Sequence, residues 1–205
     1  MCPVPAVRNL YYRESVDFLY SSPAFIISYF LHLLPVFVVS ILFFSNFAYW
    51  VLGLYPEFVR FVIFTTCVSF LFFHGELVGI IFMSLIFDAN RANTASSLFL
   101  SIAALVGSGF LRSAETMPTI FSYLRYFTIF RYSSEVLNVN EFSGLELTCN
   151  PNLPCDYPNG DTYLEEMYPG AVDRMGANFG AMFLMNLIMV SISVVLFHFL
   201  RKALR

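Results

Sequence analysis

FIISYFLHLLPVFVVSILFFSNFAYWVLGL, residues Phe25–Leu54, contains no Asp, Glu, Lys or Arg. The uncharged stretch around it reaches from Asp17 to Glu57. About 20 consecutive apolar residues cross the hydrocarbon core of a bilayer as a helix, so this segment predicts a first transmembrane span. Pro35 lies inside it, removes one helix hydrogen bond and predicts a kink. The following LGLYPE, Leu52–Glu57, sets Gly53 and Pro56 where a tight turn belongs.

The same reading extends along the chain. A second span runs from about Phe58 to Phe87, interrupted by His74 and Glu76. DANR, Asp88–Arg91, makes a short polar loop. A third span, from about Thr94 to Leu111, is rich in Ser, Ala and Gly. The fourth lies between Arg174 and Arg201. Only helices or closed barrels satisfy backbone polar groups inside lipid, and strict polar–apolar alternation is absent, so the spans are helical. The expected fold is an all-α membrane protein of four transmembrane helices.

Composition agrees. Of 205 residues, 58% are hydrophobic and 12% charged, with 25 Phe, and the mean hydropathy is +0.70. A soluble domain carries about 25% charged residues. The net charge of −3 argues against a nucleic-acid partner. The four cysteines form no CxxC and no ligand-spaced cluster with His, so no metal site is expected. The N-terminal MCPVPAVRNLYYRES is neither a signal peptide nor a myristoylation signal.

Four spans place both termini on one side. Arg8, Arg13, Arg91, Arg201, Lys202 and Arg205 fall there, against Arg60, Arg112, Arg125, Arg131 and Arg174 on the other. This small excess favours cytosolic termini. The acidic loop from Arg112 to Asp173 then faces outward. Its CNPNLPC holds Cys149 and Cys155, which form a local disulfide in an oxidising compartment or remain two loop thiols. PTIFSYLRYFTIFRY, Pro118–Tyr132, is aromatic but too short to span, and reads as an interfacial or re-entrant helix. The expected layout is a cytosolic segment over 1–24, three spans over 25–112, the re-entrant helix and outer loop over 113–173, and the last span with a basic tail over 174–205.

No catalytic constellation is present. GxSxG, HExxH and the phosphate-cradling GxxxxGK[ST] are absent, so this chain has no means to hydrolyse ATP and no expected cofactor. Glu76 is the costliest residue, since a carboxylate near a helix centre in lipid costs about 2.5–3.5 kcal/mol. It reads either as part of an intramembrane polar relay or as a structural hydrogen bond between helices. His74, two residues away, points to another helix face and reads as a packing residue. Gly75 and Gly79, and Gly176 and Gly180, form GxxxG pairs. Ser97, Ser101 and Ala104 make a thin face on the third span.

Beyond these physical signals, VGSGFLR (Val106–Arg112), the aromatic segment, RYSSEVLNVNEFSGL (Arg131–Leu145), an early LLP and YWVLGLYPEFVRF (Tyr49–Phe61) resemble the ABC transporter G subfamily, and within it the sterolin branch. The likeness covers about Glu14 to Arg205. It implies the membrane portion of an ATP-driven exporter of sterols or other lipids, with ATP and Mg bound in a separate ATPase domain. On that template the spans here are the third to sixth of six. The resemblance also implies a plasma-membrane heterodimer whose partner is a second, sterolin-2-like half-transporter. ESVDFLY (Glu14–Tyr20) takes the place of the coupling segment, with Glu14, Asp17 and Tyr20 as its contacts. Phe110 and Leu111 take the place of an apolar outer gate. Competing readings are a non-transporting four-span organiser, which lacks the tetraspanin Cys-Cys-Gly signature here, a truncated regulatory isoform, and a channel or secondary transporter centred on Glu76, for which internal repeats are missing.

Overall fold

The computed structural model describes residues 8, 11, 14, 21–108, 118–147 and 157–203, with side chains to residue 200. Among these the chain is helical, apart from turns and one isolated antiparallel bridge, Glu146 to Asn159. The helices are α1 (Ser22–Val51), α2 (Phe58–Leu85), α3 (Ala89–Gly107), α4 (Thr119–Leu124), α5 (Ile129–Phe142), α6 (Gly160–Met167) and α7 (Ala171–Ala203). A 3-10 turn, Arg125–Phe127, follows α4.

Three of these helices, α1, α2 and α7, are long and apolar enough to cross a membrane. Pro23 sits in the first turn of α1, where its fixed φ and missing N–H suit a helix start. The helix runs through Pro35 and ends where LGLYPE predicts. Gly53 takes φ 65° and donates to the Trp50 carbonyl at 3.3 Å, and Leu54 N donates to the Tyr49 carbonyl at 3.2 Å. That pairing is a Schellman end, which satisfies carbonyls the helix leaves open.

α2 lies at the centre of the bundle, packed against α1, α3, α5 and α7. Of its most apolar window 39% is buried, against 17% for α1 and for α7. The outward faces of α1 and α2 carry Phe43 and Phe58, 76% and 78% exposed. Such surfaces are stable only in an apolar solvent.

The expected third span forms a helix, but of a different character. α3 begins earlier, with the Asp88 carboxylate accepting from Arg91 N at 2.9 Å. Its 19 residues extend over roughly 28 Å at 1.5 Å per residue. Asn90, Arg91, Asn93, Thr94, Ser96 and Ser97 fill its first half, so it lacks the apolarity of the other three.

The aromatic segment is not one helix. It breaks at Thr128, which is extended with φ −105° and ψ 135°, and α5 starts beyond it. α5 buries Ile129, Val136 and Val139 against α2, α6 and α7. Gly107 makes this junction possible, because a Cβ there would stand 2.9 Å from Phe130 Cβ and overlap the Thr128 hydroxyl. By contrast a Cβ at Gly75, Gly79, Gly176 or Gly180 would meet nothing within 4 Å. Neither GxxxG pair is a close helix contact among the described residues.

Candidate functional site

Helical phase separates the two polar residues of α2. Positions 74 and 76 stand about 200° apart on an α-helix. His74 turns toward α7 and is buried, its Nδ1–H donating to Asn186 Oδ1 at 3.1 Å. Asn186 Nδ2 in turn donates to the Phe70 carbonyl at 3.3 Å. The packing role expected of His74 is therefore what the structure shows, and Asn186 is the partner that the sequence reading missed.

Glu76 turns toward α1 instead. It lines a cleft of about 420 Å³ between α1, α2 and α7, whose other walls include Ile27, Leu31, Leu34, Phe73 and Val190. No described residue hydrogen-bonds to or pairs with its carboxyl. The structure thus joins His74 to Asn186 in a polar link across the bundle and leaves Glu76, among the described residues, as the lone ionisable residue on the cleft wall. Burying an unpaired carboxylate in such surroundings is costly.

At one end of the bundle Arg8 and Tyr11, which precede α1, bind three helices. Arg8 is 2% exposed. Its guanidinium donates to the carbonyls of Met83 at 2.5 Å, Ile86 at 3.1 Å and Phe87 at 3.2 Å, and lies 5.0 Å from the Phe87 ring centre. A cation at the open carbonyls of a helix C-terminus satisfies acceptors and complements the dipole. Tyr11 is buried as well. Its hydroxyl bonds Ser22 Oγ at 2.6 Å, and its ring stacks on Phe25 at 4.5 Å and meets Phe197 edge-on at 5.6 Å. The N-terminal segment and the end of α7 therefore share one end of the bundle. Of the expected coupling residues, Glu14 is half-buried. Asp17 and Tyr20 lie outside the described residues.

A similar clamp closes the opposite end. Arg60, in the first turn of α2, donates to the carbonyls of Asn140 at 2.7 Å, Glu141 at 3.3 Å and Ser143 at 2.7 Å, at the C-terminus of α5. Asn140 Nδ2 donates back to the Arg60 carbonyl at 3.1 Å. The Glu141 carboxylate accepts from Tyr55 N at 3.2 Å. Nearby, Arg174 at the start of α7 pairs with the buried Glu135 of α5 at 2.8 Å. Burial, and then the neighbouring Tyr163 and Glu135, push the Tyr168 phenol above its ordinary value, and Arg125 pulls it back in part. In the sequence the arginines of this face gave a charge count, a span boundary and part of a resemblance, but no contacts. The expected gate residues Phe110 and Leu111, and the cysteines Cys149 and Cys155, lie outside the described residues.

This arrangement holds no catalytic group set, and no cluster of metal-binding side chains occurs among the described residues. What it offers is a lipid-facing helix bundle with an arginine clamp at each end. Comparison with known proteins agrees. Residues 4–142 match the sequence model of the family described as ABC-2 type transporter. Over 200 residues the chain is 35% identical to ATP-binding cassette sub-family G member 5 of Homo sapiens, covering 94% of this chain and 31% of that protein. It is 37% identical over 182 residues to the Rattus norvegicus protein of the same name, covering 85% and 28%. Protein scarlet of Drosophila melanogaster is 26% identical over 156 residues, covering 74% of this chain and 23% of its own length. The chain spans under a third of the length of these curated relatives. It belongs to the ABC-2 type transporter family, as a membrane domain related to the G-subfamily half-transporters.

Proposed function

We propose that this chain is the membrane portion of an ATP-driven exporter of sterols or other lipids, acting as one of two half-transporters. The observation that carries the reading is the family match over residues 4–142, joined to likeness with a G-subfamily member over 94% of the chain. The resemblance extends the proposal to a sterolin-2-like partner, the plasma membrane, and ATP with Mg held by a separate domain. α3 crosses the membrane on this reading as well, shielded by a partner from the lipid its polar residues would disfavour. Both termini are then cytosolic, and Cys149 and Cys155 are bridged outside.

The proposal extends to a mechanism. ATP-driven motion arrives at the segment holding Glu14, Asp17 and Tyr20. Arg8 and Tyr11 pass it to the ends of α1, α2 and α7, and the helices tilt around α2. Phe110 and Leu111 close the exit, since bulky apolar side chains dewet a constriction yet yield to a lipid. Glu76 acts as the polar relay, its charge or proton answering to the width of the cleft between α1, α2 and α7.

The test uses full-length protein containing this sequence, co-expressed with its partner subunit and reconstituted into proteoliposomes. Sterol export that depends on ATP supports the reading, and a purified, ATP-hydrolysing pair that moves neither sterol nor phospholipid rejects it. For the gate, Phe110→Ala with Leu111→Ala uncouples ATP hydrolysis from export. Unchanged export and unchanged hydrolysis would remove both residues from that role.

A further inference from the structure

The strongest unassigned feature lies where α4 joins α5. Arg131 stacks over the Tyr126 ring with its guanidinium carbon 3.8 Å from the ring centre, and Arg125 lies 5.6 Å from the same centre. The two cations are therefore no further apart than the sum of those distances. Like charges this close repel, and each Nε is buried with no hydrogen-bond acceptor. Neither arginine has an ion-pair partner among the described residues. Glu135, one helical turn beyond Arg131, is the adjacent carboxylate, but Arg174 holds it at 2.8 Å. Among the described residues, three arginines against one glutamate leave an excess of positive charge in this corner. Elsewhere in the fold the guanidinium groups of Arg8 and Arg60 each donate to several backbone carbonyls. Here the fold leaves donors open around one aromatic ring.

The surroundings specify the missing anion. On α4 and the turn after it, Ile120, Tyr123 and Phe127 are 73%, 69% and 81% exposed. An apolar aromatic platform beside unpaired guanidinium groups is the chemistry of a membrane surface. The rings enter the acyl boundary, and the cations meet phosphate oxygens with which arginine forms charge-assisted bonds.

We infer that Arg125 and Arg131, braced on Tyr126, form a binding site for the phosphate headgroup of an anionic lipid. The site rests on the reading that α4 lies at the membrane surface. A lipid seated there ties α4 to the bilayer while α5 stays clamped to α2.

The full chain is reconstituted in nanodiscs of mixed phosphatidylcholine and phosphatidylglycerol, and lipids retained through detergent exchange are counted by native mass spectrometry. Wild type retains phosphatidylglycerol in preference to phosphatidylcholine. Arg125→Gln with Arg131→Gln lowers that preference by about tenfold, the order expected on losing charge-assisted bonds. Lysine at both positions restores part of it. Equal retention of both lipids by the wild type overturns the proposal even if the double variant fails to fold, and so does an unchanged preference in the double variant. Complete displacement by millimolar inorganic phosphate would assign the arginines to a free anion instead of a lipid. Placement is read separately from Phe127→Trp in a Trp50→Phe background. Quenching by brominated phosphatidylcholine locates α4 at the bilayer. Its absence overturns the lipid as source without touching the arginine pair.

Discussion

Replacing Arg8 tests how firmly the N-terminal segment is joined to the bundle. The side chain is 2% exposed and reaches three carbonyls, of Met83, Ile86 and Phe87. A hydrogen bond to a charged group contributes about 1.5–3 kcal/mol, and a buried acceptor left open costs about 1–3 kcal/mol. These contributions share one guanidinium and do not add. Breaking a comparable buried polar group from one side costs about 3–5 kcal/mol, and Arg8→Ala is expected near the lower end of that range. Lysine keeps the charge but loses the fork geometry, so Arg8→Lys recovers about half. For a chain of this size about 3 kcal/mol lowers the melting temperature by roughly 6–12 °C. Thermal unfolding in detergent measures the loss, and hydrogen exchange over Phe82–Phe87 shows whether the last turn of α2 frays. An Arg8→Ala protein within about 0.5 kcal/mol of wild type, with unchanged exchange in that turn, would refute the clamp.

Two further substitutions probe the packing. Gly107→Ala forces a Cβ against Phe130 and Thr128, and the crowding destabilises by about 1–3 kcal/mol. Gly79→Ala, where nothing lies within 4 Å, is neutral or gains about 0.5–1 kcal/mol from helix propensity. In detergent Gly107→Ala should melt below wild type and Gly79→Ala at or above it. Asn186→Leu leaves His74 buried and unpaired, at about 1–3 kcal/mol. Adding His74→Phe removes the orphan and recovers much of that loss, so a double-mutant cycle in the same assay reads the link.

Much of the bundle is legible in the sequence because lipid imposes a simple rule. Uncharged runs fixed α1, α2 and α7 to within a few residues, and Gly53 marked the end of α1 by its backbone freedom. Helical phase alone separated Glu76 from His74. Other features escaped because they are long-range. Arg8 reads as one more juxtamembrane cation, yet its acceptors lie 75 or more residues away. Asn186 looks like a tolerated polar residue until α7 packs on α2. The GxxxG pairs make no close contact among the described residues, since small residues permit close approach without requiring it. The break at Thr128 has no strong local signal, and depends on the end of α3 lying against the start of α5.

α2 carries a clamp at each end. Its last carbonyls are gripped by Arg8, and its own Arg60 grips the carbonyls that end α5. Its 28 residues make a rod of roughly 42 Å. On the proposed mechanism, a shove on Arg8 is carried along this rod to the carbonyls that Arg60 holds at the end of α5. Tyr11 ties the same end to α1 and α7 through Ser22, Phe25 and Phe197, so on the proposed mechanism α5 shares the load with both.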